Sequence, residues 1–253
     1  MGGNVAFALV LSALAGLSTT VGSLLAIFVR KPGSRFMALT LGFSAGVMVL
    51  LSFMELLAHG IETVGFVLAY VSFFVGMLIM FVLDVLVPHQ YMAERAPGDA
   101  QHGRLLKTSL LVALGIGIHN FPEGMATLAG TLQDVTLGTA IAVAIALHNI
   151  PEGLAVSVPV YAATGSRRTA FLWSFLAGVA EPVGAAVAAL VLLPFLNDEL
   201  LGLMLSAVAG VMVFISLDEL VPAARSFGEA HLSIIGVALG MAVMVVSLWV
   251  LRG

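Results

Sequence analysis

Eight long apolar segments restrict the folds that this chain can adopt. They lie at about 5–29, 36–58, 64–87, 108–131, 136–161, 169–193, 200–222 and 231–251. A helix needs about 20 apolar residues to cross a bilayer, and only helices or closed barrels satisfy their backbone polar groups in lipid. The segments are unbroken and do not alternate as barrel strands do. They predict an all-α polytopic membrane protein with eight transmembrane helices in a single domain over 1–253.

The composition agrees with a membrane protein and excludes several other classes. The chain is 60% hydrophobic and 9% charged, whereas soluble domains carry about 25% charged residues. It has no cysteine, so a disulfide framework and thiolate metal sites are excluded, and no basic run points to nucleic acid. The N-terminal segment lacks a basic n-region and is interpreted as a first span, not a signal peptide.

The cations predict the orientation in the membrane. Nine of the ten Lys and Arg residues fall in loops on one side of the predicted spans, and only Arg252 falls on the other. The nine are Arg30, Lys31, Arg35, Arg95, Arg104, Lys107, Arg167, Arg168 and Arg225. Because cytoplasmic loops are enriched in Lys and Arg, both termini are expected outside, in the plasma (bacterial cytoplasmic or inner) membrane.

One polar loop is long. Residues 88–107 are predicted to form a mobile cytoplasmic loop that carries His89 and His102. These histidines are either solvated residues or weak metal-sampling ligands.

An internal repeat relates the two ends of the chain. "AGVMVLLSFMEL" at 45–56 matches "AGVMVFISLDEL" at 209–220 at eight of twelve positions. "LSALAGLSTTVG" at 11–22 aligns with "WSFLAGVAEPVG" at 173–184. Spans 1–3 thus resemble spans 6–8, and an offset of five spans makes the two units antiparallel. The pattern predicts a 3+2+3 inverted-repeat arrangement, which is typical of secondary transporters with a midplane site.

Spans 4 and 5 each carry the same polar hexapeptide, "HNFPEG" at 119–124 and "HNIPEG" at 148–153. The His and Glu of each copy are four residues apart and share a helix face. Because the two spans are antiparallel, the two clusters are expected at the same depth. A mid-span Glu181 follows in span 6.

Carboxylates at this depth predict a bound cation. Each one costs roughly 2.5–3.5 kcal/mol at the bilayer centre on the insertion scale, and neighbouring carboxylates repel each other. A divalent ion removes both problems, and imidazole, carboxylate and amide groups suit first-row metals. Two facing triads could hold two ions, with Glu123 and Glu152 as bridges. The predicted metal ligands are His119, Asn120, Glu123, His148, Asn149, Glu152 and Glu181.

Further polar residues lie near the ends of the spans. Glu55 and His59 are predicted to form an outer relay. Asp84, His89, Asp218 and Glu219 are predicted to form an inner relay. The alternative is that these side chains reach toward water at the span ends, which is the interpretation adopted for Glu62 and Glu229.

The paired hexapeptides, the "GVAEPVG" of span 6 and the 3+2+3 plan resemble the ZIP (Zrt/Irt-like) metal transporters over essentially the whole chain. The resemblance implies import of divalent metals into the cytoplasm, often by dimers, through a binuclear site formed by the seven ligands. It also implies movement of spans 1, 4, 5 and 6 against 2, 3, 7 and 8.

The expected function is therefore uptake of zinc, and also of iron, manganese, cobalt and cadmium, as transported substrates and without a catalytic cofactor. Two alternatives use the same residues. An intramembrane metal-dependent hydrolase would need a polar groove and a signature such as HExxH, which is absent. A proton-coupled carrier of an organic solute would use the acids without a metal.

Overall fold

In a computed structural model of the protein, residues 2–28, 33–86, 99–195 and 197–252 are described. Every regular element within these ranges is helical, which confirms the predicted all-α class. Arg30, Lys31, His89 and Arg95 lie outside the described residues.

Ten α-helices and three short irregular helical segments follow one another along the described chain. The first half contains α1 (Gly2–Phe28), α2 (Ser34–Leu51), the π-helical segment π1 (Ser52–Leu56), α3 (Leu57–Val64), α4 (Phe66–Leu86) and α5 (Asp99–Gln133). The second half contains α6 (Val135–Thr164), α7 (Arg167–Leu192), a 3₁₀ turn (Leu193–Phe195), α8 (Asp198–Ile215), π2 (Ser216–Leu220), α9 (Val221–Ser226) and α10 (Ala230–Arg252).

Length and apolar composition allow seven spans in the described part of the chain to cross a membrane. They are Asn4–Ala26, Ser34–Val64, Phe66–Leu86, Val135–Thr164, Arg167–Val191, Asp198–Ser226 and Ala230–Val250. Helix α5 contains the fourth predicted span. Two of these spans are composite, because α2 continues through π1 into α3 and α8 continues through π2 into α9.

Two predicted boundaries differ from the structure. Residues 99–107, predicted as part of the loop with His102, belong to helix α5, because Ala, Gln, Arg, Leu and Lys in this stretch favour helix. The second span continues to Val64 instead of ending near 58. It ends there because Gly65 adopts a φ of 79°, which is readily available only to glycine.

Side-chain caps mark the first turns of two helices. Asp134 separates α5 from α6, and its carboxylate accepts a hydrogen bond of 2.9 Å from the Leu137 N–H. Asn197 caps α8 by accepting a 2.8 Å bond from the Leu200 N–H. These bonds satisfy helix N–H groups that lack an intrahelical partner. Between α5 and α6 the chain thus reverses direction at the single residue Asp134.

The helices pack in matching pairs. Helix α1 packs against α6 and α7, while α5 packs against α7 and α6. Outside this group of four, α2 packs against α10 and α8 packs against α4. The two layers meet where α2 contacts α6 and α8 contacts α5. The two hexapeptide helices thus lie between the two composite spans.

Small residues bring these backbones together. A Cβ placed at Gly16 would overlap the carbonyl oxygen of Gly178, and a Cβ placed at Gly178 would overlap the carbonyl oxygen of Gly16. In the hexapeptides, Gly124 lies against the Glu181 carbonyl and Gly153 lies against the Thr19 carbonyl. Close packing of small residues is a main source of helix association in membranes.

The Gly16–Gly178 contact can be tested by adding a methyl group. We expect Gly16→Ala to destabilise the protein by about 1–3 kcal/mol, because the backbones must move apart. The melting temperature of the purified protein in detergent would fall. Gly33→Ala is the control, since a Cβ at Gly33 meets no atom within 4 Å. Equal melting temperatures for the two variants would contradict the assigned contact.

Candidate metal centre

The seven predicted central residues come together from three helices. His119, Asn120 and Glu123 lie on α5, His148, Asn149 and Glu152 lie on α6, and Glu181 lies on α7. All seven side chains have an exposed fraction of 0%. The carboxylate of Glu181 is close enough to those of Glu123 and Glu152 to interact electrostatically with both. The sequence repeat is therefore also a spatial cluster.

The His and Glu side chains pair between helices. The Nε2 atom of His119 lies 3.1 Å from an oxygen of Glu152, and the Nε2 atom of His148 lies 3.1 Å from an oxygen of Glu123. His119 and Glu123 are four residues apart and share one face of α5. Their hydrogen bonds run between helices, so that each hexapeptide supplies a histidine to the carboxylate of the other.

The two asparagines attach the hexapeptides to the flanking helices. The Asn120 amide donates a 3.0 Å hydrogen bond to the Ala177 carbonyl of α7. The Asn149 amide donates a 3.0 Å bond to the Ala15 carbonyl of α1 and a 2.9 Å bond to Glu181. With the N–H₂ groups committed in this way, the amide oxygens are left as the available donor atoms for a cation.

Each of the seven side chains keeps one buried polar atom without a hydrogen-bond partner. These atoms are His119 Nδ1, His148 Nδ1, Asn120 Oδ1, Asn149 Oδ1, Glu123 Oε2, Glu152 Oε1 and Glu181 Oε1. A buried polar atom left unsatisfied costs about 1–3 kcal/mol. Seven of them in one cluster is the donor set that a divalent cation would satisfy.

The side chains of the cluster are not arranged around one common metal position. Within the described ranges no group of three or more His, Asp or Glu side chains is arranged to hold one metal ion. Each Nε2 atom is engaged by a carboxylate oxygen. Binding a metal at these nitrogens would replace the two His–Glu hydrogen bonds and release protons.

Two further residues beside the central cluster were not among the predicted site residues. Ser44 of α2 donates a 3.3 Å hydrogen bond to the His148 carbonyl, and its hydroxyl is within reach of the Glu152 carboxylate. Thr19 of α1 is fully buried with an unpartnered hydroxyl. Alignment of the repeat already pairs Thr19 with Glu181, but Ser44 carries no signal in the sequence, because its repeat mate is the apolar Val208.

The residues of the predicted outer relay line a polar cavity. His59 Nδ1 lies 3.7 Å from a Glu55 carboxylate oxygen. Both residues, together with Glu62 and Asp134, line a cavity of about 320 Å³, called here the Glu55 cavity. Glu62, interpreted from sequence as a solvated end residue, therefore shares a cavity with Glu55.

The residues of the predicted inner relay are only partly grouped. Glu219 is buried and close enough to His119 to interact with it electrostatically. Asp218 is exposed and Asp84 is half-buried, and His89 lies outside the described residues. Glu219 thus connects π2 electrostatically with the central cluster.

Apolar helices that surround a buried cluster of ionisable side chains are typical of membrane proteins that move ions or protons. The ZIP zinc transporter family model matches residues 92–248. The chain is 50% identical to the zinc transporter ZupT of Nitratidesulfovibrio vulgaris, over 97% of each protein. It is 47% identical to the same-named protein of Oceanobacillus iheyensis, over 98% of this chain and 99% of the relative. The chain belongs to the ZIP family.

The crossed pairing can be tested with a double-mutant cycle. We expect His119→Ala and Glu152→Ala to be coupled by about 0.5–3 kcal/mol, because the two side chains share a hydrogen bond. His119→Ala and Glu123→Ala, which share a helix but no hydrogen bond, should show a smaller coupling. Melting temperatures of the purified variants in chelator-treated detergent solution measure both cycles. A larger coupling for the His119–Glu123 pair would refute the crossed arrangement.

Proposed function

We propose that this protein takes up divalent metal ions, zinc first among them, across the cytoplasmic membrane by alternating access through the His–Asn–Glu cluster. It acts as a transporter and not as an enzyme, as its family membership indicates. The observation that carries the proposal is the set of seven buried donor atoms without partners, supplied by three helices at one place. Zinc, iron, manganese, cobalt and cadmium all accept these donors.

The proposed topology has a 3+2+3 inverted repeat with both termini outside. Its support is the reciprocity of the contacts: exchanging α1 with α7 and α5 with α6 maps the Asn120–Ala177 bond onto the Asn149–Ala15 bond. The same exchange maps the Gly124 contact onto the Gly153 contact. Inverted repeats provide two related states, one open to each side of the membrane.

Contacts between connecting segments support the proposed sides. The Arg35 side chain, in the first turn of α2, lies 3.2 Å from Glu229, which precedes α10. At the other end, Gln133 donates a 2.9 Å bond to Thr63, next to the Glu55 cavity. The first pair lies at span ends on the side proposed as cytoplasmic, and the second pair lies at span ends on the side proposed as external.

A binuclear centre is proposed on the basis of the two equivalent His–Glu pairs. Each pair offers one imidazole and one carboxylate, and Glu123 and Glu152 would bridge the ions. The two halves of the cluster differ in that α7 contributes Glu181, whereas the equivalent residue of α1 is Thr19. Glu55 and His59 would deliver ions from outside, and Glu219 with Asp84, Asp218 and His89 would receive them inside. A homodimer remains part of the proposal, as the family resemblance implies.

The central carboxylates provide the main test. We expect Glu123→Ala or Glu152→Ala to abolish uptake of labelled zinc by proteoliposomes, because the bridging ligand is lost, while membrane expression stays normal. Glu229→Ala is the matched control, since this carboxylate lies in an exposed pair with Arg35. Full zinc uptake by either central variant would refute the proposed site.

The number of ions tests the binuclear centre and the competing carrier of an organic solute. We expect the purified protein to bind two zinc ions per chain, measured by equilibrium dialysis and elemental analysis. Glu181→Ala should bind one, because only one half of the cluster has a carboxylate at this position. A single ion in the unaltered protein would rule out the binuclear centre. Absence of bound metal, with solute uptake driven by a proton gradient, would support the carrier.

A further inference from the structure

The two composite spans each contain a π-helical segment at the same position of the repeat. The segments are π1, with the sequence SFMEL, and π2, with the sequence SLDEL. In each, the backbone bonds across five residues: the Leu57 N–H reaches the Ser52 carbonyl, and the Val221 N–H reaches the Ser216 carbonyl. Wide turns of this kind are rare and are found mostly at functional sites.

A serine begins both π segments and bonds backward to the preceding turn. The Ser52 hydroxyl donates a 2.7 Å hydrogen bond to the Met48 carbonyl. The Ser216 hydroxyl donates a 2.7 Å bond to the Met212 carbonyl. Such backward bonds from serine bend helices and loosen their regular pattern. In both spans the serine hydroxyl thus supplies an additional hydrogen-bond donor at the turn where the α-helix changes to a π-helix.

Both π segments turn a glutamate inward. Glu55 and Glu219 have exposed fractions of only 2% and 3%, although the neighbouring Met54 is 50% exposed and Asp218 is exposed. Segment π1 packs against α8, and π2 packs against α2. The two carboxylates are therefore buried within the helix bundle, while the residue that precedes each of them is exposed.

The surroundings of the two glutamates differ. Glu219 interacts electrostatically with His119 of the central cluster, whereas Glu55 faces His59 across the Glu55 cavity. Under the repeat, Glu219 is equivalent to Glu55 and His119 is equivalent to His148. Helix α8 packs on α5, which carries His119, and α2 packs on α6, which carries His148. The repeat therefore relates the electrostatic interaction of Glu219 with His119 to a corresponding pairing of Glu55 with His148.

We propose that Ser52 and Ser216 are positioning residues that hold Glu55 and Glu219 as equivalent outer and inner carboxylates, and that each carboxylate faces the metal centre in only one of two conformations. In the conformation described, Glu219 faces His119. In the opposite conformation, Glu55 faces His148 and receives the ion from the external side. This inference rests on the proposed transport function and extends it to the step by which an ion reaches or leaves the centre.

The test measures zinc uptake from each side of the membrane separately. Right-side-out and inside-out vesicles prepared from the same cells present labelled zinc to the outer or the inner face. We expect Glu55→Gln to raise the half-saturating zinc concentration about tenfold in right-side-out vesicles, because an interaction with a charged partner is lost. Glu219→Gln should raise it by a similar factor in inside-out vesicles. A merely structural role would alter both preparations alike.

The serines are tested against a matched control. Ser52→Ala should reproduce the outer effect and Ser216→Ala the inner effect, each by about two- to fivefold, the size expected for one hydrogen bond. Ser52→Thr and Ser216→Thr should keep the value of the unaltered protein, because the threonine hydroxyl can bond the same backbone carbonyl. Ser206→Ala is the control, since Ser206 makes the same backward bond of 2.9 Å to Gly202 in α8 but lies outside π2.

The outcomes separate this inference from the function on which it rests. Normal zinc uptake by the unaltered protein, with Ser52→Ala and Ser216→Ala indistinguishable from Ser206→Ala, would overturn the positioning role alone. Equal effects of Glu55→Gln in both vesicle preparations would overturn the alternation of the two carboxylates. Absence of zinc uptake by the unaltered protein would overturn the proposed function and this inference with it.

Discussion

The crossed pairing of two histidines with two glutamates is the interaction on which the arrangement depends. Each carboxylate is fully buried in a chain that is 60% hydrophobic, where an unpaired charge is expensive. Because His119 pairs with Glu152 and His148 pairs with Glu123, neither hexapeptide is satisfied by its own helix. The pairing thus requires α5 and α6 to lie side by side in opposite directions. The free-energy cost of burying unpaired carboxylates therefore restricts how the two helices can pack.

The close approach of the surrounding helices sets the geometry of that pairing. Gly124 and Gly153 allow the hexapeptides to lie against the backbones of α7 and α1, and the two asparagine amides bond to carbonyls of the same helices. The asparagines consequently have two functions, since the amide nitrogen holds the helix and the amide oxygen remains available. This division explains why an amide is suited to the position, where a carboxylate could not donate to a backbone carbonyl.

The two repeats differ at two positions beside the central cluster. Thr19 occupies the position that Glu181 occupies in the other half, so one half of the cluster carries an additional carboxylate. Ser44 of α2 reaches the His148 carbonyl, whereas its repeat mate Val208 can donate no hydrogen bond. These differences make the two halves of the cluster unequal in charge and in hydrogen bonding.

Much of the fold could be predicted from the sequence, because the cost of exposing backbone polar groups to lipid permits only helices of a certain length. Thus the all-α class, the spans to within several residues and the seven central residues could be identified before the structure. The boundaries at 99–107 and at Val64 could not, since they depend on local helix propensity and on the φ of one glycine. A period of 3.6 residues shows which side chains share a face, but it cannot show which neighbour they bond.

The sequence by itself determined the helical class, the internal repeat and which polar residues lie in the middle of the spans, because composition and periodicity are local properties of the chain. Only the tertiary structure decided that His119 bonds Glu152 and not Glu123, that Ser44 joins the cluster, and that Glu62 shares the Glu55 cavity. It also decided that the matched serines begin two wide turns. These features arise from contacts between residues distant in the chain or from competition among backbone hydrogen bonds, so their physical cause lies in packing.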